Sequence, residues 1–284
     1  MNSIYIDTHC HLNFKRFKKD YDTVIKHSLE NGIQSFIVPG TDILLSQKAI
    51  EIASKYENIF AAVGIHPHHT FINQKLKIED QKLTQFENDM AELEKMLIHP
   101  KVVAVGEVGL DSHEYEETKY QEYHISEEFM NAQKEYFRAE IHLAQKYKKA
   151  LIIHNRETKK ELLEILNSEW NEEMCFRTVF HCCEPDQELL TYAILHNIFI
   201  GVDGDVTYGG EKAEFAKEIP LELLVLETDS PFLLPEPLKS QKLYPNTPAN
   251  IPIIATYIAE LKGVAVEEIA TRTTENARKL FNIV

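Results

Sequence analysis

Ile4-Tyr5-Ile6-Asp7-Thr8-His9-Cys10-His11 opens the chain with a short β-branched run that ends, within a few residues, in side chains able to do chemistry. The same design recurs at Ser35 to Pro39, Ile59 to Gly64, Val102 to Gly106, Ala150 to His154, Arg177 to His181, Ile198 to Gly201 and Leu223 to Glu227. With Ile4 to Asp7 these make eight runs, each followed by an amphipathic or charged stretch of helical period. Strands that alternate with helices build a parallel sheet buried on both faces, and eight such units are the number that closes a barrel. The expected fold class is therefore α/β, a (β/α)8 TIM barrel, with an open doubly wound sheet as the alternative.

Outward from the runs, the distance from one start to the next is at most 31 residues, except for 43 before Val102 and 48 before Ala150. The third and fourth βα units are thus expected to carry insertions, about Thr70 to His99 and the tyrosine-bearing Ser112 to Glu128, the latter ahead of a helix starting near Phe129. No linker rich in Gly, Pro or Ser divides the chain, and 284 residues suit one barrel of roughly 250 residues plus insertions. Residues 1–284 are accordingly expected to form one domain. The tail, Asn250 to Phe281, reads as two or three helices interrupted at Gly263 and closing the last unit.

Lys and Arg total 30 against 45 Asp and Glu, a formal charge of −15, which argues against a protein that coats nucleic acid. A site that grips one phosphate at a time is compatible with that charge, because salt screens fields beyond roughly 8 Å. No apolar run approaches the roughly 18 residues of a membrane helix, and Met1 to His11 lacks the basic and apolar regions of a signal peptide. A cytoplasmic protein without a membrane or a stable protein partner is expected. Cys10, Cys175, Cys182 and Cys183 fit neither a disulfide framework nor CxxC zinc spacing, and read as buried, inert thiols.

In an extended chain His9 and His11 point the same way, because the side-chain period is two. Glu107 and Asp111 follow the fourth run, His154 the fifth, His181 the sixth, and Glu227 and Asp229 the eighth. In a closed parallel barrel these C-terminal strand ends ring one mouth, where barrel enzymes place catalysis. Singly, each residue has a structural explanation: a strand-end His caps a loop, Glu107 pairs within the core, Asp229 caps a turn. Jointly, four His and two carboxylates offer nitrogen and oxygen donors to two divalent ions, with Glu107 placed to bridge them. Two ions against two carboxylates leave a positive site that attracts an anion such as a phosphodiester. His27, His99, His142 and His196 are assigned to the surface or the packed core.

Phe14-Lys15-Arg16-Phe17-Lys18-Lys19 places four basic residues and two aromatics after the first run, where bases could stack and phosphates pair, or where a solvated helix simply starts. Arg156, two residues past His154, is a candidate fork for phosphate oxygens, and His66 in Gly-Ile-His-Pro-His a second substrate-binding candidate near the same rim.

DTHCHL, VGIHPH, VGEVGLD, LIIHNR, VFHC, LETDSPFLLP and TENARKLF, in that order along the chain, resemble the TatD family of metal-dependent deoxyribonucleases, within the amidohydrolase-like barrels. The resemblance runs essentially end to end and implies a (β/α)8 barrel with two divalent ions, Mg, Mn or Zn, that cleaves DNA, typically removing nucleotides from a 3′ end. By that resemblance His9, His11, Glu107 and Asp229 hold one ion, Glu107, His154 and His181 the other, and Glu227 is a close outer carboxylate. HCCEP departs from the family, in which an aromatic and a small residue usually follow HC, and the insertions depart as well. Both bear on substrate preference, here expected to be single-stranded DNA or 3′ ends.

The mechanism expected from these residues is metal-assisted displacement at phosphorus, with Asp229 as proton acceptor, Glu107 between the ions, and Arg156 and His66 holding phosphate oxygens. An amidohydrolase or lactonase acting on a cyclic amide or ester is the alternative reaction, and a non-catalytic metal-binding scaffold the alternative to an enzyme.

Overall fold

The computed structural model describes residues 3–71, 79–116, 118, 120 and 122–284, with the backbone alone for 79–84. Eight strands follow one another around a single parallel sheet: β1 (Tyr5–Asp7), β2 (Ile33–Pro39), β3 (Ile59–Val63), β4 (Val102–Asp111), β5 (Ala150–Arg156), β6 (Thr178–Phe180), β7 (Phe199–Val202) and β8 (Leu224–Leu226). The ring closes just beyond the last strand. Thr8 N donates to Leu226 O at 3.1 Å, Asp229 N to His9 O at 2.9 Å, and His11 N to Ser230 O at 2.8 Å. The open sheet is excluded and the (β/α)8 barrel stands.

The barrel interior is filled by at least one apolar side chain from each strand: Ile6, Ile37, Ala62, Ala104, Ala150 with Ile152, Val179, Phe199 and Val225. Small residues on β3 and β4 leave the volume that Phe199 takes from β7, which is how a closed barrel reaches crystal-like packing. Its floor is plugged by Ala277, Leu280 and Phe281. These belong to the last helix, which begins at Val266.

The helices are α1 (Tyr21–Glu30), α2 (Ile43–Ala53), α3 (Glu79–Leu97), α4 (Glu127–Tyr147), α5 (Lys159–Glu169), α6 (Gln187–His196), α7 (Gly210–Glu218), α8 (Ile251–Lys262) and α9 (Val266–Phe281). α2, α4 and α6 start on side-chain caps: Asp42 accepts from Leu45 N, Ser126 from Phe129 N, and Asp186 from Glu188 N and Leu189 N. Gly263, at φ 66°, ends α8 in the left-handed conformation that glycine adopts without penalty, so the tail is two helices. Among the described residues no single helix is long and apolar enough to cross a membrane.

Of the first expected insertion, residues 72–78 lie outside the described residues, and α3 follows them. Within the second, 117, 119 and 121 lie outside as well, while Tyr115, Tyr120 and Tyr123 pack around His68 at ring separations of 4.5 to 5.6 Å. β4 runs five residues beyond the expected Gly106. Gln133 of α4 holds both the amide and the carbonyl of Asp111, at 2.8 and 2.9 Å, and β5 pairs with β4 as far as Asp111 opposite Arg156.

Candidate metal centre

The seam between β1 and β8 is locked by a buried carboxylate. Asp7 accepts from Thr228 Oγ1 at 2.6 Å, Thr228 N at 3.1 Å and His9 N at 3.2 Å, so the two loops past the seam are fixed to each other. Burial pushes Asp7 up to about 8 against these hydrogen bonds. Held this way, the extended step from His9 to His11 brings their Nε2 atoms to 3.1 Å from each other. Both face Asp229 Oδ1, at 3.8 and 3.2 Å, and Glu107 Oε2, at 3.3 and 3.6 Å.

On the other side of Glu107 stand two imidazoles, each fastened from behind. His154 Nδ1 lies 3.0 Å from Glu107 Oε1, and its Nε2 lies 3.0 Å from Asp111 Oδ2. His181 Nε2 lies 3.6 Å from Glu107 Oε1, and its Nδ1 lies 2.9 Å from Glu227 Oε1. A rear carboxylate orients the ring and, in the neutral imidazole, claims the N–H so that the other nitrogen is free for a cation, the usual support for a metal-binding histidine. Space for the Glu227 carboxylate comes from Gly201, where a Cβ would lie 2.4 Å from Glu227 Oε1.

These groups are buried and electrically coupled. Burial pushes Glu107 up, but His66, His9, His154 and His181 outweigh it and hold the carboxyl well below its usual range. Burial likewise opposes the charged forms of His154 and His181, yet Asp111 with Glu107, and Glu227 with Glu107, raise them to about 9 and about 10. Burial keeps His9 low. Asp229 is pulled down by His11, His181 and His9 against its burial.

Three overlapping triads have donor atoms mutually within 4.8 Å: His9, His11 and Asp229; His9, Glu107 and His181; and His66, Glu107 and His154. The first two carry the donors expected around the seam and the Glu107 bridge. His66, expected nearer the rim as a substrate contact, lies deeper: its Nε2 is 3.6 Å from Glu107 Oε1 and its ring 4.4 Å from that of His154. The donor set fits divalent cations. Nε2 of His9 and Nε2 of His11, 3.1 Å apart and both facing carboxylate oxygens of Glu107 and Asp229, converge as nitrogen and oxygen ligands of one cation do.

All six expected ligands, His9, His11, Glu107, His154, His181 and Asp229, come together, with Glu227 directly behind His181. Five of them line one cavity of about 760 Å³, His9 lying beneath it, and Arg156 stands on the same wall. Arg156 Nη1 donates to the Tyr115 hydroxyl at 3.1 Å, and its guanidinium lies 5.1 Å from that ring. His27, His99, His142 and His196 lie outside this cavity.

Several expectations change. Four carboxylates, not two, surround the histidines, since Asp111 and Glu227 join Glu107 and Asp229. Two divalent ions would be neutralised by them, so the net positive charge expected from two carboxylates does not arise. Asp111 carried a readable signal, because it lies an even number of residues from Glu107 on the same strand. Phe17, expected at the mouth, is fully buried in the core; Phe14 is the aromatic that lines the cavity. The cysteines are not all inert filling. Cys175 and Cys182 are partly buried, and Cys182 lines the cavity 3.8 Å from Lys212 Nζ, which pairs with Asp205 at 3.1 Å. No local signal marks that cluster, whose members come from the loops after β6 and β7 and from α7.

Residues 6–282 match the sequence profile of a family described as TatD related DNase. An uncharacterized metal-dependent hydrolase, YabD of Bacillus subtilis, is 34% identical over 279 residues, covering 98% of each chain. A 3′-5′ ssDNA/RNA exonuclease, TatD of Erwinia tasmaniensis, is 30% identical over 284 residues, covering 98% of this chain and 99% of the other. Among solved structures, YJJV, a TatD homolog from Escherichia coli, superposes with a TM-score of 0.82 at 26% identity over the whole of both chains.

Proposed function

The chain belongs to the TatD-related DNase family and is a metal-dependent hydrolase, and from that premise we propose that it hydrolyses phosphodiester bonds at the 3′ ends of single-stranded DNA. The observation that carries this reading is the Glu107 carboxylate with His9 and His11 on one oxygen and His154 and His181 on the other. In it, His9, His11, Glu107 and Asp229 hold one divalent ion and Glu107, His154 and His181 a second, drawn from Mg, Mn or Zn. Bound there, such ions supply an acidified water and electrostatic stabilisation of charge developing at phosphorus.

The chain's own groups do the rest. Asp229 faces His9 and His11 through Oδ1, which leaves its other oxygen to accept a proton. Arg156, its fork oriented by the Tyr115 hydroxyl, and His66, beside Glu107 and His154, position phosphate oxygens. Asp111 and Glu227 keep His154 and His181 in the tautomers that face Glu107. The Erwinia relative, a 3′-5′ ssDNA/RNA exonuclease, supports the substrate and the polarity.

The test is digestion of end-labelled single- and double-stranded DNA by metal-stripped protein, with each metal restored in turn. Stepwise shortening from the 3′ end of the single strand is the expected result. The same donors would serve attack on a carbonyl carbon, so cyclic amides and lactones are assayed alongside. Turnover of those with intact DNA would overturn the phosphodiesterase reading.

A further inference from the structure

Phe14, beyond β1, and Phe232, beyond β8, face each other across the seam at the edge of the cavity. Phe14 lies flat on His11, with ring centres 4.1 Å apart and planes at 20°. Phe232 meets Phe14 edge-on, at 6.1 Å and 73°, and stands 6.5 Å from His11. Its amide donates to Asp229 O at 2.9 Å, so the backbone that carries this ring is fixed to that of a proposed metal ligand. Even so, Phe232 is 50% exposed. Scattered exposed apolar residues are ordinary. A rigidly held aromatic on the wall of a polar cavity, within one nucleotide of the reacting centre, offers a stacking face.

The neighbouring chain supplies charge. Phe14 leads directly into a 3₁₀ turn, Lys15–Phe17, pinned by the buried Phe17, and Lys15, Arg16, Lys18 and Lys19 are all exposed. Among the described residues only Arg16 of these four has an acidic partner, Asp20 at 3.9 Å. Aromatic faces beside a basic track are the arrangement that binds single-stranded nucleic acid, with bases stacking and phosphates meeting cations. In a chain of charge −15 this placement next to the centre is the informative feature.

We infer that Phe232, buttressed by Phe14, is a ledge that stacks one unpaired nucleobase of the substrate, while the turn at residues 15–19 receives the phosphates of the strand beyond it. This rests on the phosphodiesterase reading above and adds a base-dependent element to it. A paired base has both faces covered by its neighbours, so the ledge selects single strands and frayed 3′ ends. A sugar phosphate without a base gains nothing from it.

The test uses the full-length protein stripped of metal, so that binding is read without cleavage. Fluorescence anisotropy compares two 5′-labelled oligonucleotides, one normal and one whose last two nucleotides lack bases. Wild type should bind the normal oligonucleotide about tenfold more tightly or better, the worth of one stacked base. Phe232→Ala should lose that preference and Phe232→Trp should keep it. Equal affinity of wild type for both oligonucleotides, or a preference that survives Phe232→Ala, overturns the ledge, as does an equal weakening of both ligands by the alanine variant. Restoring Mn²⁺ to wild type then separates the two ideas. Cleavage without a base preference in binding retains the hydrolase reading and removes the ledge, whereas a base preference without cleavage of either oligonucleotide does the reverse.

Discussion

The floor and the mouth of this barrel are built from the same eight strands and follow opposite rules. At the floor every strand gives at least one apolar side chain, and α9 seals them with Ala277, Leu280 and Phe281. A few residues further along, the strands and the loops they lead into give His9, His11, Glu107, Asp111, His154, His181, Glu227 and Asp229, most of them buried and none apolar. Burying ionisable groups costs free energy unless each is partnered. The floor therefore supplies the stability that the mouth consumes, and the two ends should respond to mutation in different observables.

Glu107→Gln gives the largest expected effect. Glu107 alone faces all four inner histidines, and an amide halves its capacity to bridge cations. Turnover should fall on the order of 10⁴-fold, while thermal unfolding of the metal-free protein moves down only modestly: a charge favoured by the surrounding histidines is lost, and His154 and His181 can release their protons in turn. A large loss of metal-free stability would show that the mouth is part of the fold's framework and would break the contrast.

Phe199→Ala, at the floor, should do the opposite. Removing a fully buried ring costs about 3–5 kcal/mol, read as a shift of the denaturation midpoint. Turnover per folded molecule should remain that of wild type. Lost activity in a folded Phe199→Ala protein would mean that packing at the floor governs donor geometry at the mouth.

Much of this contrast was legible in the order of residues, because strand runs and the donors that end them are local patterns. What escaped was set by distant contacts. The run Gly106-Glu-Val-Gly-Leu-Asp111 holds two glycines and two acids, a weak strand by propensity, and its far end becomes part of β4 only because Gln133 and β5 hold it. Phe14 and Phe17 lie on one short turn, and nothing local says which ring enters the core. Lys212, Asp205 and Cys182 meet across three segments. The carboxylate behind His154 has the same origin: Asp111 is readable as a second acid on the strand of Glu107, but its place behind that imidazole is visible only once β4 lies beside β5.

Asp111→Asn sharpens the comparison within the mouth. The amide can present N–H to His154 Nε2, which moves the ring proton to the nitrogen facing Glu107. Metal affinity or turnover should drop 10- to 100-fold, measured by calorimetric titration of metal into stripped protein. An unchanged affinity would show that the rear carboxylate does not set the tautomer.

The smallest effect expected lies away from the mouth and is visible only as a pH dependence. Lys262, at the end of α8, donates to the carbonyls of Lys217 and Ile219 at 3.0 and 2.6 Å, and burial lowers it to about 8 from its ordinary value of 10.5. Because the folded state releases this proton more readily than the unfolded chain, the unfolded chain binds more protons between those values. Stability contributed here therefore rises as pH increases from about 8 toward 10.5 and is lost as pH falls back through 8. Partial exposure screens the effect to about 1 kcal/mol or less. In Lys262→Met the stability–pH curve should be flatter over that interval than in wild type, with both proteins stripped of metal so that the histidines of the mouth contribute equally. If the two curves run parallel from pH 8 to 10, the alkaline dependence belongs to other groups, such as Lys101 and Lys149, which burial also lowers at the starts of β4 and β5.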